Sequence, residues 1–90
     1  KHVQHQLWID FESTVELKSV QITDGAHSDI FAQNQSSVYV SDSIIRNNKS
    51  RFNVQAVNFS KIELIKTVVE NSYGDVYYSE NNSFIKQLDF

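Results

Sequence analysis

The residues best equipped for chemistry are three histidines, His2, His5 and His27, and eleven Asp and Glu side chains in a chain of 90 residues. His27 lies in Asp24-Gly25-Ala26-His27-Ser28-Asp29, where several oxygen and nitrogen donors crowd into a short stretch. Those are ligand types for a divalent cation. The spacing matches neither a calcium-binding EF-hand loop nor a zinc pattern. The equivalent stretches Asn48-Lys49-Ser50-Arg51 and Ser72-Tyr73-Gly74-Asp75 do not repeat it. It reads as a solvated turn, and His2 and His5 as part of a frayed N-terminal segment. The chain has no cysteine, which removes disulfides and thiolate metal sites. It has no glycine-rich phosphate loop and no nucleophile motif. The expectation is a segment with no catalytic residue, no metal site and no cofactor.

The other candidates, aromatics and paired carboxylates, are spaced by an internal repeat. Segments starting at Leu7, Ile30, Val54 and Tyr77 are offset by 23, 24 and 23 residues. The seventh position of each is serine (Ser13, Ser36, Ser60, Ser83), and the ninth is β-branched (Val15, Val38, Ile62, Ile85). The fifth is Asn34, Asn58 or Asn81, with Phe11 the exception. Each copy splits into three short runs of two-residue alternation, the period of a strand. Inward residues of the first are Leu7 and Ile9, Ile30 and Ala32, Val54 and Ala56, Tyr77 and Ser79. Those of the second are Val15 and Leu17, Val38 and Val40, Ile62 and Leu64, Ile85 and Gln87. Those of the third are Val20 and Ile22, Ser43 and Ile45, Thr67 and Val69. Asp24, Asn47 or Asn71 follows, a second polar row, and the extra residue of the longer copy falls in the loop after it. The dense run Ser60 to Glu70 competes as a helix, but it is rich in β-branched residues and its apolar positions form no 3.6-residue stripe.

One coil of this kind cannot bury its inner face, whereas coils stacked about 4.8 Å apart with parallel pairing can. Like residues then lie over like, and Asn34, Asn58 and Asn81 form an asparagine ladder at a corner. The pattern Asn-x-Ser-x-[Val/Ile]-x-[Leu/Val], followed by [Ile/Val]-x-[Asn/Asp], resembles the repeat of the pectate-lyase-like right-handed parallel β-helix superfamily, from about Leu7 onward. The resemblance implies an all-β parallel β-helix of about four rungs, with three short strands per rung. It implies no activity, because that superfamily holds lyases, hydrolases, epimerases, tailspikes and non-catalytic modules. Polygalacturonase-like enzymes of this fold need clustered aspartates with a His and an Arg-x-Lys, and pectate-lyase-like ones need calcium-binding acids and a basic residue. Neither set is present. The chain opens on Lys rather than Met, so residues 1–90 are expected to be one β-helix segment excised from a longer, bacterial protein. Lys1 and Phe90 both fall part-way through a rung, so further rungs or stacked partners are expected beyond them.

The same register assigns the outward residues. On the first strand they are Trp8, Phe31, Gln55 and Tyr78, flanked by Asp10, Gln33, Val57 and Glu80. Three of the first four are aromatic, which suits a protein contact or, as an alternative, the stacking of sugar rings. On the third strand Ile44 and Val68 form an exposed apolar pair beside Gln21. On the second strand Glu16, Tyr39, Glu63 and Lys86 point out. Glu16 and Glu63 are two rungs apart, near 9.6 Å, at the upper limit for an inverting glycosidase pair. Tyr39 stands between them, where sugar and water would need to be, and Lys86 is placed to pair with Glu63. The candidate binding face is therefore Trp8, Phe31, Gln55, Tyr78, Tyr39, Ile44 and Val68.

Composition narrows the partners. Net charge is −3 with scattered basic residues, which argues against nucleic acid. No apolar run reaches the roughly 20 residues of a membrane-spanning helix. Proline is absent and only Gly25 and Gly74 are present, so Asn, Ser and Asp are expected to make the turns. The sequons Asn34-Gln35-Ser36, Asn58-Phe59-Ser60 and Asn81-Asn82-Ser83 fall on the ladder, with the asparagines turned inward, and read as by-products of the repeat. The reading is a non-catalytic structural or interaction module. It meets a protein partner, or itself, by its face or by end-stacking. A polysaccharide-binding or -processing β-helix with its catalytic residues elsewhere is the alternative.

Overall fold

The computed structural model describes residues 5–23, 28–47, 52–72 and 74–88. The first coil comprises β1 (His5–Ile9), β2 (Thr14–Lys18) and β3 (Gln21–Thr23). The second comprises β4 (Ser28–Ala32), β5 (Ser37–Ser41) and β6 (Ile44–Asn47). The third comprises β7 (Val54–Val57), β8 (Lys61–Ile65) and β9 (Val68–Asn71), and β10 (Tyr77–Glu80) and β11 (Phe84–Leu88) begin a fourth. Pairing is parallel throughout, in three sheets ordered β1-β4-β7-β10, β2-β5-β8-β11 and β3-β6-β9. The chain is a right-handed parallel β-solenoid of about three turns. The dense run after Ser60 is β8 and β9, not helix.

The register is the one the repeat implies. Leu7 pairs with Ile30, Ile30 with Val54 and Val54 with Tyr77, while Val15, Val38, Ile62 and Ile85 align likewise. A one-residue slip would turn every apolar side chain outward, so burial of one face holds the register. Ile30, Val38, Val40, Ile45, Val54, Ile62 and Leu64 are fully buried and form one core with Ile9, Ile22, Ala32 and Ala56. Leu7, Val15, Leu17 and Ile85, in the outermost coils, are half-buried against it. Tyr77, Ser79 and Gln87 keep inward register but are exposed. Gln87 turns its amide to the Thr67 carbonyl (2.9 Å).

The strand ends differ from the sequence reading. Val20, Ser43 and Thr67 are corner residues, and the third strands begin one residue later. The Ser43 and Thr67 hydroxyls donate to the carbonyls of Ser41 (2.7 Å) and Ile65 (3.0 Å), a local turn that competes with strand pairing. His5 is not frayed at the backbone, since it opens β1 and pairs with Ser28. Asp24 to His27, most of the stretch read as a solvated turn, and the insertion near Asn48 lie outside the described residues.

The corners are built from left-handed backbone. Two consecutive residues per coil have positive φ at the first corner: Phe11 and Glu12, Asn34 and Gln35, Asn58 and Phe59, Asn81 and Asn82. One residue does so at the second: Ser19, Asp42 and Lys66. This costs a side chain other than glycine roughly 1–2 kcal/mol, with asparagine and aspartate the most tolerant. Asn, Ser and Asp therefore do not make the turns alone, because Phe11, Glu12, Gln35, Phe59 and Lys66 also occupy such positions. Backbone bonds between coils hold them: Glu12, Gln35 and Phe59 donate to the carbonyls of Asn34, Asn58 and Asn81, each at 2.9 Å.

Candidate interaction surface

Outward positions of the first sheet come from alternation on β1, β4, β7 and β10. Trp8 pairs with Phe31, Phe31 with Gln55 and Gln55 with Tyr78, so the four side chains stand in one row along the solenoid. Trp8 is 59 % exposed. Its ring meets that of Phe31 edge-on, with centroids 5.7 Å apart and planes at 86°. At the other end Phe52, just before β7, packs on Tyr78 at 5.1 Å and 44°. The Tyr78 hydroxyl donates to the Glu80 carboxylate, and that bond raises the phenol above the ordinary tyrosine range. Along the row Gln55 separates the Trp8–Phe31 ring pair from Tyr78 and Phe52, with a hydroxyl and a carboxylate at one end. Val57 was expected to flank this row outward but is buried. It sits in an interior coil, next to Glu80 of the following one, and the coils on both sides shade it.

The second sheet places Glu16, Tyr39, Glu63 and Lys86 in register. Tyr39 does stand between Glu16 and Glu63. Glu63 pairs with Lys61 (3.9 Å) rather than with Lys86, because side chains two apart on one strand share a face. The Lys61 ammonium also lies 5.1 Å from the centroid of the Tyr39 ring. Donation from that ammonium to the Tyr39 hydroxyl oxygen is the main cause that raises the lysine above its ordinary value; desolvation opposes it and the charge of Glu63 adds to it. On the third sheet Ile44 and Val68 are adjacent, Ile44 half-buried and Val68 exposed. Arg46 and Glu70 form an exposed pair beside them at 2.8 Å. Trp8, Phe31, Gln55 and Tyr78 thus share one face, while Tyr39 and the Ile44/Val68 pair belong to two others.

The first corner carries the asparagine ladder. Asn81 Nδ2 donates to Asn58 Oδ1 (2.8 Å), Asn58 Nδ2 to Asn34 Oδ1 (3.2 Å) and Asn34 Nδ2 to Asp10 Oδ1 (2.8 Å). The donors all run toward the N-terminal coil, where Phe11 holds the ladder position and has no amide. Asp10 supplies the acceptor instead. It also receives the Gln33 amide (2.8 Å) and the Phe11 backbone N–H (2.7 Å). Donation from Asn34, then from Gln33, holds the carboxyl below its ordinary range, against a smaller desolvation effect. Asn34 and Asn58 are half-buried and Asn81 is exposed. The serines form a parallel ladder in which Ser60 Oγ accepts from the Ser36 N–H (3.2 Å) and Ser83 Oγ from the Ser60 N–H (2.9 Å). Phe11 and Phe59 project from this corner, 81 % and 61 % exposed.

The third corner holds a buried polar cluster that the sequence reading missed. Asp29 and Asn53 are fully buried and occupy equivalent positions just before Ile30 and Val54. Asn47 and Asn53 donate to the two Asp29 carboxylate oxygens at 3.0 and 3.2 Å. Asn53 also donates to the Glu70 carbonyl (2.9 Å). The available signal was two polar residues 24 apart, each directly before an inward aliphatic. Among the described residues no group of three or more His, Cys, Asp and Glu side chains could hold a metal ion. Among the described residues no helix is long and apolar enough to cross a membrane. Compared with known proteins, the chain matches no family model, no curated protein and no solved structure.

Proposed function

We propose that this chain is a non-catalytic interaction module, a β-helix segment of a larger bacterial protein of the pectate-lyase-like superfamily, which presents its first sheet to a protein partner. The observation that carries the reading is the outward row Trp8, Phe31, Gln55 and Tyr78, exposed at its two ends and half-buried between them, and held in register by core residues such as Ile9, Ile30 and Val54. Aromatic anchors beside a few polar groups are the composition of a contact surface. Tyr39 between Glu16 and Glu63, and the engagement of Glu63 by Lys61, argue against a hydrolytic pair on the second sheet. The test compares proteins recovered on immobilised wild-type chain with those on a Trp8→Ser/Tyr78→Ser variant. Specific partners should fall at least tenfold. Equal recovery on both, with a concentration-independent monomer in sedimentation, would refute the reading.

Polysaccharide binding is the second reading, supported by the Gln55 amide within the row and the Tyr78–Glu80 pair at its end. The edge-on Trp8–Phe31 geometry favours protein, since sugar stacking needs flat faces turned outward. Tryptophan emission separates the two, because Trp8 is the single tryptophan. No shift across acidic and neutral polysaccharides eliminates the sugar.

A further inference from the structure

The first corner has features that the aromatic face does not use. Phe11, Glu12, Asn34, Gln35, Asn58 and Phe59 line an open groove of about 370 Å³. Both phenylalanines sit in left-handed backbone (φ 56° and 65°), where asparagine fits better, and both stand largely in water. Two large apolar side chains are thus kept where folding is served better by something else, and such outliers point to function. The phenylalanines belong to the first and third coils, a rise of about 9.6 Å along the axis, with Phe59 one corner position beyond Asn58, the residue that aligns with Phe11. The side-chain amides of Asn34 and Gln35 in the second coil and of Asn58 beside Phe59 line the same groove, with the Glu12 carboxylate next to Phe11.

We propose that this groove binds an extended proline-rich peptide in the polyproline II conformation. That helix repeats every three residues, about 9.3 Å, so prolines at i and i+3 match the two-coil rise between the two phenylalanines. Its backbone carbonyls have no internal hydrogen-bond donors and project toward solvent, where the corner amides can donate to them. Each ladder amide spends one N–H on its neighbour and has a second. Aromatic walls with interspersed donors are the general means of reading this conformation, which pays little ordering entropy on binding. Glu12, with no basic side chain lining the groove, selects a peptide with Arg or Lys flanking the prolines.

The test is NMR titration of the chain with blocked peptides of alanine, one terminal arginine and two prolines. Prolines three residues apart should give saturable shifts confined to residues around the first corner, with a Kd below about 1 mM. Moving one proline by one residue should weaken binding at least fivefold. Phe59→Asn and Phe11→Asn should each weaken it at least tenfold. Those variants place a residue suited to left-handed backbone, so loss of binding with a retained or raised melting temperature cannot be assigned to unfolding. No saturation at millimolar peptide, indifference to proline spacing, unchanged binding by the asparagine variants, or corner shifts produced by an oligosaccharide and not by the peptide would overturn the proposal.

Discussion

Asn58 is the residue at which two effects meet and can be pulled apart. Its amide gives one hydrogen bond to Asn34 and takes one from Asn81, and its backbone has φ 57°. Removing both bonds costs about 1–3 kcal/mol, taking about 0.5–1.5 each. Alanine must also adopt left-handed backbone, for roughly 1–2 kcal/mol more, so Asn58→Ala should cost about 2–5 kcal/mol. Asn58→Gly loses the same bonds without the steric cost. After its greater freedom in the unfolded chain is counted, it should be about 1 kcal/mol less damaging than alanine. A domain of this size has roughly 5–13 kcal/mol in total, so the alanine variant forfeits a large share of it. The assay is urea unfolding by circular dichroism. With a slope of about 1–3 kcal/mol/M, the glycine midpoint should exceed the alanine midpoint by roughly 0.3–1 M. Equal midpoints would refute the backbone argument, and a shift under about 0.5 kcal/mol in both would refute the ladder's contribution.

Further outcomes follow from the same contacts. Asp29→Ala leaves two buried amides without their acceptor and should cost about 2–6 kcal/mol; urea unfolding checks this against Glu16→Ala, at an exposed position on β2. Leu64→Ala should cost about 2–5 kcal/mol in the fully buried core and Leu17→Ala clearly less, as read by calorimetry. The Asp10 carboxyl is depressed in the folded chain, so its contribution to stability is complete above the ordinary aspartate range. It is lost as pH falls through the depressed value; carboxyl NMR locates the titration, and Asp10→Asn should flatten that limb of the stability profile. Glu80→Gln should return the Tyr78 phenol toward its ordinary value, visible in the alkaline absorbance titration.

Much of this fold was legible because stacking makes one coil constrain the next. Inward aliphatics such as Val38 and Ile62 carry a two-residue period, and an offset of 23 or 24 residues makes that period agree in every coil. The register of Trp8, Phe31, Gln55 and Tyr78 followed from the same arithmetic. What escaped depends on backbone angles and on polar atoms meeting across coils. Val57 reads as outward by alternation, yet its interior coil buries it. Lys86 reads as the partner of Glu63, yet Lys61 on the same strand reaches it. Asp29 looks like a loop residue until Asn47 and Asn53 are seen to converge on it, and Phe11 looks like a lapse in the ladder until Asp10 is seen to end it.

The central claim is that parallel stacking in one register sets the aromatic row outward and commits its neighbours to the core. The chain has no cysteine, so paired cysteines report that register without interference. Facing residues on adjacent parallel strands lie near 4.8 Å, inside the disulfide range of about 4.4–6.8 Å between Cα atoms. Gln55→Cys with Tyr78→Cys should oxidise readily to an intramolecular disulfide in the folded chain. Gln55→Cys with Tyr77→Cys points its thiols to opposite faces of the sheet and should not. Equal oxidation of both pairs, or a preference for the second, would contradict the register and the surface built on it.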